Sequence, residues 1–199
     1  MSVQKNVFDD NIKRVIALKN IYNVIGPGSS SRYKRTDILR AATVLLHSSF
    51  EEYYRGVVTE WLPKKGNESA LKVVALPEDA GRNKASYSLY DLMQKHSSKT
   101  VKELFEESVE EHMSRSSFNS YSEICSWGNK IGIDFHAYNK ASELDKAIKR
   151  RHKIVHEADL QLDSSGKKTV NSIKESDVDS WIQAYRELVD VIEGQISTW

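Results

Sequence analysis

The chain has 199 residues, 39% of them hydrophobic, which is enough for one domain with a sizeable core. It has a single cysteine, Cys125, which excludes an internal disulfide framework and a cysteine-rich zinc site and favours a reducing compartment. The formal net charge of +1 provides no global attraction to nucleic acid, so any such binding must come from local basic patches. We find no signal-peptide pattern over residues 1–10 and no long uncharged apolar stretch, and therefore expect a cytoplasmic protein without a membrane segment.

The composition predicts an all-α fold. Three prolines and nine glycines are few for this length, and the frequent Ala, Leu, Glu and Lys residues favour long helices separated by short breaks. No linker is long enough to divide the chain, so we predict one domain over residues 1–199.

Two helices are predicted in the first third of the chain. Apolar residues recur at helical spacing over residues 8–25, and the Gly-Pro-Gly-Ser-Ser-Ser segment at 26–31 predicts a loop. Thr36 is a candidate N-cap for a longer helix whose broad apolar face continues until Pro63. Residues 64–87 have mixed composition and are predicted to form an irregular insert.

Serine and threonine caps divide the remaining chain into helices. Thr100 and Glu103 form a capping box that opens a helix to about residue 115, after a short helix over residues 86–95. Three more helices are predicted to be capped by Ser120, Ser142 and Ser176, the first ending at Gly132, the second at about His156 and the third near the C-terminus. A polar loop at residues 164–166 is expected before the last helix.

The segment over residues 149–156, Lys-Arg-Arg-His-Lys-Ile-Val-His, concentrates four cationic side chains and two imidazoles near a predicted helix end. An arginine can clamp a phosphate with its planar guanidinium, and a histidine can move a proton near neutral pH. RNA cleavage without a metal requires a base for the ribose 2′-OH, cations beside the phosphate and an acid for the leaving oxygen. The segment therefore contains candidate residues for that reaction.

Helix geometry constrains how these residues cooperate. At about 100° per residue, His152 and His156 lie close together on the helix surface, whereas Arg151 and His156 are roughly 140° apart. One regular helix does not point both at the same phosphate. Either a helix that loosens at His156 or a site shared across the two-fold axis of a dimer removes the difficulty, and we expect a homodimer because symmetric dimers are the commonest oligomers.

The sequence resembles the HEPN superfamily, specifically its RiboL-PSP-HEPN branch. Arg151, the polar His152 and then His156 look like the Arg-x4-6-His motif of that superfamily, and residues 40–54 look like the alanine-rich helix of the branch with its Phe-Glu-x-Tyr signature. Further agreement lies, in the same order, at residues 118–120 and 131–134 and in the terminal helix with Trp181. The resemblance covers roughly Thr36 to Trp199.

The resemblance implies a HEPN-like helical bundle that dimerises with its motif helices facing each other, forming one RNA-cleavage site between two copies. Arg151 would bind the scissile phosphate, His156 would act as acid or base, and His152 would support or orient it. Family members act in defence, toxin–antitoxin and RNA-processing systems. RNA, a second copy of the chain and a cognate antitoxin or defence-system protein are therefore the expected partners.

Several residues near the motif have a functional and a structural interpretation. Arg150 and Lys153 are candidate contacts to the RNA backbone, although solvated surface is the alternative. Glu51 and Glu52 are both candidates to orient the motif arginine, and we choose Glu52 as that supporting carboxylate. A histidine near a helix C-terminus is also favoured by the helix dipole alone, so His156 has a structural alternative too.

We expect no metal or other cofactor. His152 and His156 have the four-residue spacing that can bind zinc on a helix, but no nearby cysteine or HExxH-type glutamate completes a site. The sequence thus predicts a metal-independent endoribonuclease. The alternatives are a HEPN-like module that binds RNA, nucleotide or protein without cutting, and a purely structural helical bundle.

Overall fold

The structure is a computed structural model that describes residues 2–25, 32–75 and 89–199. Within these ranges the chain forms eight α-helices and one two-stranded antiparallel sheet, so the predicted all-α class is confirmed. The elements in chain order are α1 (Val3–Ile25), α2 (Arg32–Lys65), α3 (Glu68–Leu71), α4 (Leu89–His96), α5 (Val101–Ser114), α6 (Tyr121–Ile131), α7 (Ala141–Glu157), β1 (Leu160–Leu162), β2 (Lys168–Val170) and α8 (Glu175–Ile196).

The predicted loop at residues 26–31, and residues 76–87 of the predicted insert together with Ser88, lie outside the described residues. Of the remaining insert, residues 64–65 continue α2, and α3 is a single helical turn whose N-cap is Asn67. No helix in the described ranges is long and apolar enough to cross a membrane.

The chain divides into two compact units. Unit 1 comprises Met1–Tyr53, Phe118–Glu123 and Phe135–Trp199, and unit 2 comprises Tyr54–Ser117 and Ile124–Asp134. Because α2 and α6 each contribute residues to both units, these units are not consecutive along the sequence. The single domain over residues 1–199 stays a prediction.

Unit 1 buries the apolar faces of α1, α2, α7 and α8. Their fully buried side chains recur at the three- and four-residue spacing that predicted these helices. The rings of Phe50 and Tyr185 lie 5.2 Å apart between their centroids, and those of Phe8 and Tyr53 lie 5.7 Å apart. Aromatic pairs at these distances add to the apolar area that the helices bury.

Unit 2 has a core of its own. It includes Val57 and Leu62 on α2, Met113 on α5 and Ile131 on α6, all at most 1% exposed. The Tyr54 hydroxyl donates to the carbonyl oxygen of Ile124 at 2.5 Å. This bond satisfies a buried polar group, which would otherwise be costly.

The capping predictions for α5 and α6 are confirmed. Both hydrogen bonds of the Thr100 and Glu103 capping box are present. At α6, the Ser120 hydroxyl accepts from the backbone N–H of Glu123 at 3.2 Å, and Gly132 follows the helix with a φ of 88°. This left-handed conformation explains the glycine, because other residues adopt it less readily.

Other predicted boundaries are wrong. α2 begins at Arg32, so Thr36 lies inside it, and α2 continues past Pro63 to Lys65. A proline lacks one hydrogen bond to the preceding turn, and here the helix persists for only two more residues. α7 begins at Ala141 and α8 at Glu175, so Ser142 and Ser176 lie in first turns rather than at N-caps.

The polar segment before α8 is a β-hairpin rather than only a loop. Leu160 pairs with Val170 and Leu162 with Lys168, and the predicted loop at residues 164–166 forms the turn. Gly166 has a φ of 78° there. The hairpin matters for the site because it anchors the carboxyl end of α7.

Candidate active site at the carboxyl end of helix α7

Helix α7 has one buried and one exposed face at its carboxyl end. Leu144 and Ile148 are buried, and Arg151, on the next turn of the same stripe, has a side chain that is 17% exposed. His152, Lys153 and His156 are exposed. The arginine of the motif is therefore held at the edge of the core while both imidazoles face solvent.

Arg151 pairs with Glu51 of α2. Its Nη2 lies 3.4 Å from Glu51 Oε2, and the Glu51 carboxylate is buried. Glu52 is exposed. The choice of Glu52 as the supporting carboxylate was therefore wrong: Glu51 lies on the buried stripe of α2, and the next residue is rotated about 100° away from it.

A chain of buried polar groups extends from this ion pair. His47, one turn before Glu51 on α2, places Nε2 3.4 Å from Glu51 Oε1, and its Nδ1 lies 2.7 Å from the hydroxyl of Tyr185 on α8. Burial raises the pKa of the Tyr185 hydroxyl well above its ordinary value, so this hydroxyl stays protonated. We assign it as the donor to Nδ1, which leaves the imidazole hydrogen on Nε2, facing Glu51.

The Glu51 carboxylate is ionised in this arrangement. Burial alone raises its pKa, but His47, the backbone N–H of Phe118 and Arg151 together lower the pKa to about 2. The Phe118 N–H donates to Oε1 at 3.2 Å. Glu51 is thus a fixed negative charge that holds the Arg151 guanidinium.

Three arginines of unit 1 differ in how many donors remain for a ligand. Arg40 is buried and donates to Asp159, to the Asn171 carbonyl and to two side chains of its own helix. Arg150 donates to Asp159 and to the carbonyls of residues 171 and 172. Arg151 has one acceptor among the described residues, the Glu51 carboxylate at 3.4 Å. Arg151 is therefore the arginine with hydrogen-bond donors left for a phosphate.

The donors of Arg150 are engaged in anchoring the end of α7, which favours a structural role over the predicted contact with RNA. Its Nη2 lies 2.9 Å from Oδ2 of Asp159, and Arg40 Nε lies 2.6 Å from the same oxygen. Asp159 is fully buried and has a φ of 55°, next to Ala158 with a φ of 50°. The backbone N–H groups of both residues donate to the carbonyl oxygen of Lys153. This turn fixes the position of the last turn of α7, where His156 lies.

The two motif histidines form an exposed pair. The centroids of the His152 and His156 rings are 4.6 Å apart. α7 stays helical through Glu157, so the alternative in which the helix loosens at His156 is wrong. Lys153 lies on the same exposed surface and stays a candidate contact to the RNA backbone.

Sequence reasoning missed His47 and Tyr185. Both occupy positions of apolar stripes, on α2 and α8, and buried polar residues on such stripes need hydrogen-bond acceptors or donors. That His47 precedes Glu51 by four residues was the available signal. Within residues 2–25, 32–75 and 89–199, no group of three or more His, Cys, Asp or Glu side chains lies together as a metal site requires.

The acid dependence of stability tests the Glu51 assignment. A carboxylate whose pKa falls from 4.5 to about 2 on folding contributes stability above pH 4.5, and this contribution is lost as the pH falls toward 2. The shift corresponds to about 3 kcal/mol at neutral pH. We expect wild type and Glu51→Gln to differ most in free energy of unfolding near neutral pH and to converge between pH 4.5 and 2, as measured by urea unfolding at each pH.

Glu52→Gln is the matched control for that measurement. Its side chain is exposed, so its difference from wild type should stay within about 0.5 kcal/mol at every pH. A Glu51→Gln curve parallel to that of wild type would show that Glu51 carries no lowered pKa.

These features define a helical protein with an arginine and a histidine of one helix as its candidate active residues. A sequence model of the RiboL-PSP-HEPN family matches residues 9–198, which is nearly the whole chain. The chain therefore belongs to the RiboL-PSP-HEPN family, as the resemblance implied. No curated protein and no solved structure matches the chain significantly. Membership of the family points to RNA binding or RNA cleavage as the area of function.

Proposed function

We propose that this protein is a metal-independent endoribonuclease whose active site forms between two copies of the chain, with Arg151 and His156 of each copy facing the other. The observation that carries the proposal is the contrast on α7 between a half-buried Arg151 with unengaged donors and an exposed His156. The α7 helix stays regular between them, so they point about 140° apart within one chain. A second copy supplies the missing direction.

The reaction is an internal transfer at phosphorus. One His156 takes the proton from a ribose 2′-OH, and the 2′-oxygen forms a bond to the adjacent phosphorus. The bond from phosphorus to the 5′-oxygen breaks, and His156 of the second copy gives that oxygen a proton. The products are a 2′,3′-cyclic phosphate and a 5′-hydroxyl, and no electron is transferred.

Arg151 stabilises the negative charge that develops on the non-bridging oxygens during this step. Preorganised donors are effective because they need no rearrangement as charge develops. Glu51 supports this role, since its ionised carboxylate and the buried groups behind it restrict where the guanidinium can move. His152 packs against His156 and orients its ring, and Lys153 adds a positive charge for the RNA backbone.

The test is incubation of purified, tag-free protein with single-stranded and total RNA in excess EDTA, followed by mapping of product ends. We expect wild type to leave 2′,3′-cyclic phosphate or 3′-phosphate ends. His156→Ala should lose about a hundredfold or more of the cleavage rate, and Arg151→Ala a similar factor.

His136→Ala is the matched control, because His136 is also an exposed histidine of unit 1 but lies outside α7. It should cleave as wild type does. Equal cleavage by wild type, Arg151→Ala and His156→Ala would identify a contaminating nuclease and reject the proposal. A folded wild type that binds RNA and cleaves none would instead identify a binding module.

We also propose that the nuclease acts in a toxin–antitoxin or phage-defence system, in which a cognate protein restrains it. This follows from the contexts in which relatives of the HEPN superfamily act. Expression of the wild type without such a protein is expected to stop bacterial growth, and expression of His156→Ala is not. Equal growth of the two strains at equal protein levels would reject this context.

A further inference from the structure

The pair of exposed histidines on α7 has a second chemical property that RNA cleavage does not require. His152 and His156 are four residues apart on one regular helix, and their ring centroids lie 4.6 Å apart. In the neutral imidazole one ring nitrogen has a free lone pair. Two imidazoles at this spacing on a helix can share one transition-metal ion.

We propose that His152 and His156 together bind a zinc ion, and that the bound ion inhibits the nuclease. The regulatory half rests on the proposed function, because it requires His156 to move protons during RNA cleavage. A metal bound to an imidazole nitrogen occupies the lone pair that would accept a proton. The ion would thus act as an inhibitor and not as a cofactor.

The surroundings of the pair determine which ion it takes. The exposed surface of this helix end carries lysines and imidazoles, and within the described residues no carboxylates join the pair as a third or fourth ligand. Imidazole suits zinc, copper and nickel, whereas magnesium and calcium prefer oxygen ligands. We therefore expect Zn²⁺ to bind and Mg²⁺ not to bind, with water in the remaining coordination positions of zinc.

The access of the ion and the fixed position of the pair both support binding. Both rings lie in solvent, so a hydrated ion reaches them without any opening of the core. The helix that carries them is anchored immediately afterwards by the buried Asp159. A preorganised pair of ligands loses less entropy when it binds than two ligands on a loop.

Binding is tested directly by isothermal titration of the tag-free chain with ZnCl2. We expect saturable zinc binding by wild type and by His136→Ala, and an affinity at least about tenfold weaker in His152→Ala and in His156→Ala. Equal zinc binding by wild type and both α7 variants would overturn the site. This measurement needs no enzymatic activity, so it separates failure of the metal site from failure of the proposed function.

Inhibition is tested on the wild type by RNA cleavage at increasing ZnCl2, with MgCl2 as the control ion. We expect half-inhibition at the free zinc concentration that half-saturates the chain in the titration. EDTA should then restore cleavage, so that chelation raises the rate and does not abolish it. Full cleavage by zinc-saturated wild type would overturn the regulatory half of the proposal.

Discussion

Excess His156→Ala protein is expected to inactivate the wild-type nuclease when subunits exchange between dimers. If each site needs His156 from both copies, a mixed dimer has only one of the two and cannot cleave. With a ninefold excess of the variant, only about a tenth of wild-type chains meet another wild-type chain, so the cleavage rate per wild-type chain falls about tenfold. RNA cleavage is measured over a series of mixing ratios at constant wild-type concentration.

The shape of that dependence separates a shared site from a complete one. A shared site gives a rate that falls with the fraction of wild-type chains. A site complete within one chain gives a rate per wild-type chain that does not change, and this outcome would reject the shared site. His136→Ala serves as the matched mixing control, since it keeps both motif residues, and native mass spectrometry of the mixtures verifies that subunits exchanged.

The shared site also explains why the motif residues differ in exposure. A phosphate-binding arginine benefits from restraint, and Arg151 is restrained by Glu51 at the edge of the core. A proton-transferring histidine must reach its substrate across the proposed interface, and His156 lies on the exposed face. Val155 between them is 49% exposed, and an apolar side chain in that position favours contact with another surface.

Helices were predictable from the sequence because local spacing determines them. The apolar stripes of α1, α2 and α8 and the Thr100 capping box are properties of neighbouring residues, so they can be read without knowing what packs against them. The hairpin was missed for the same reason. Its strands have three residues each, too few for an alternating pattern to be distinguished from a loop.

The motif at residues 151–156 could be found from the sequence, but the groups that support it could not all be found. Arg151 and Glu51 are 100 residues apart in the chain, and no local pattern pairs them. The choice between Glu51 and Glu52 depends on which face of α2 is buried. Glu51 lies four residues after His47 and three before Tyr54, both of them buried, so helical spacing favoured it, although carboxylates are rarely placed on an apolar stripe.

Asp159 is expected to be the residue whose loss destabilises unit 1 most. Its carboxylate is 0% exposed and accepts from Arg40 at 2.6 Å and from Arg150 at 2.9 Å. Asp159→Ala leaves both guanidinium groups in place without their shared counter-charge, and removal of one side of a buried ion pair typically costs about 3–5 kcal/mol. The measurement is the free energy of unfolding from urea titrations followed by circular dichroism.

Two further variants separate the charge of Asp159 from the other effects of the substitution. Asp159→Asn keeps a side chain that tolerates the φ of 55° and can accept a hydrogen bond, but it removes the charge, so its loss of stability should lie between those of Asp159→Ala and wild type. Asp10→Ala removes an exposed aspartate paired with Lys13 and should change stability by less than about 1 kcal/mol. A similarly small loss for Asp159→Ala would show that the two arginines do not depend on this carboxylate.

The consequence of Asp159→Asn for the site follows from where Asp159 lies. The turn of Ala158 and Asp159 begins two residues after His156, and its N–H groups bond back to the Lys153 carbonyl inside the last turn of α7. Loss of the anchor therefore lets this turn fray and moves His156 away from its fixed position, while Arg151, one turn earlier and held by Glu51, keeps its place. We expect a folded Asp159→Asn protein to bind RNA as wild type does and to cleave it more slowly, because a displaced proton-transfer group affects the chemical step. A cleavage rate equal to that of wild type would show that the fixed end of α7 serves stability alone.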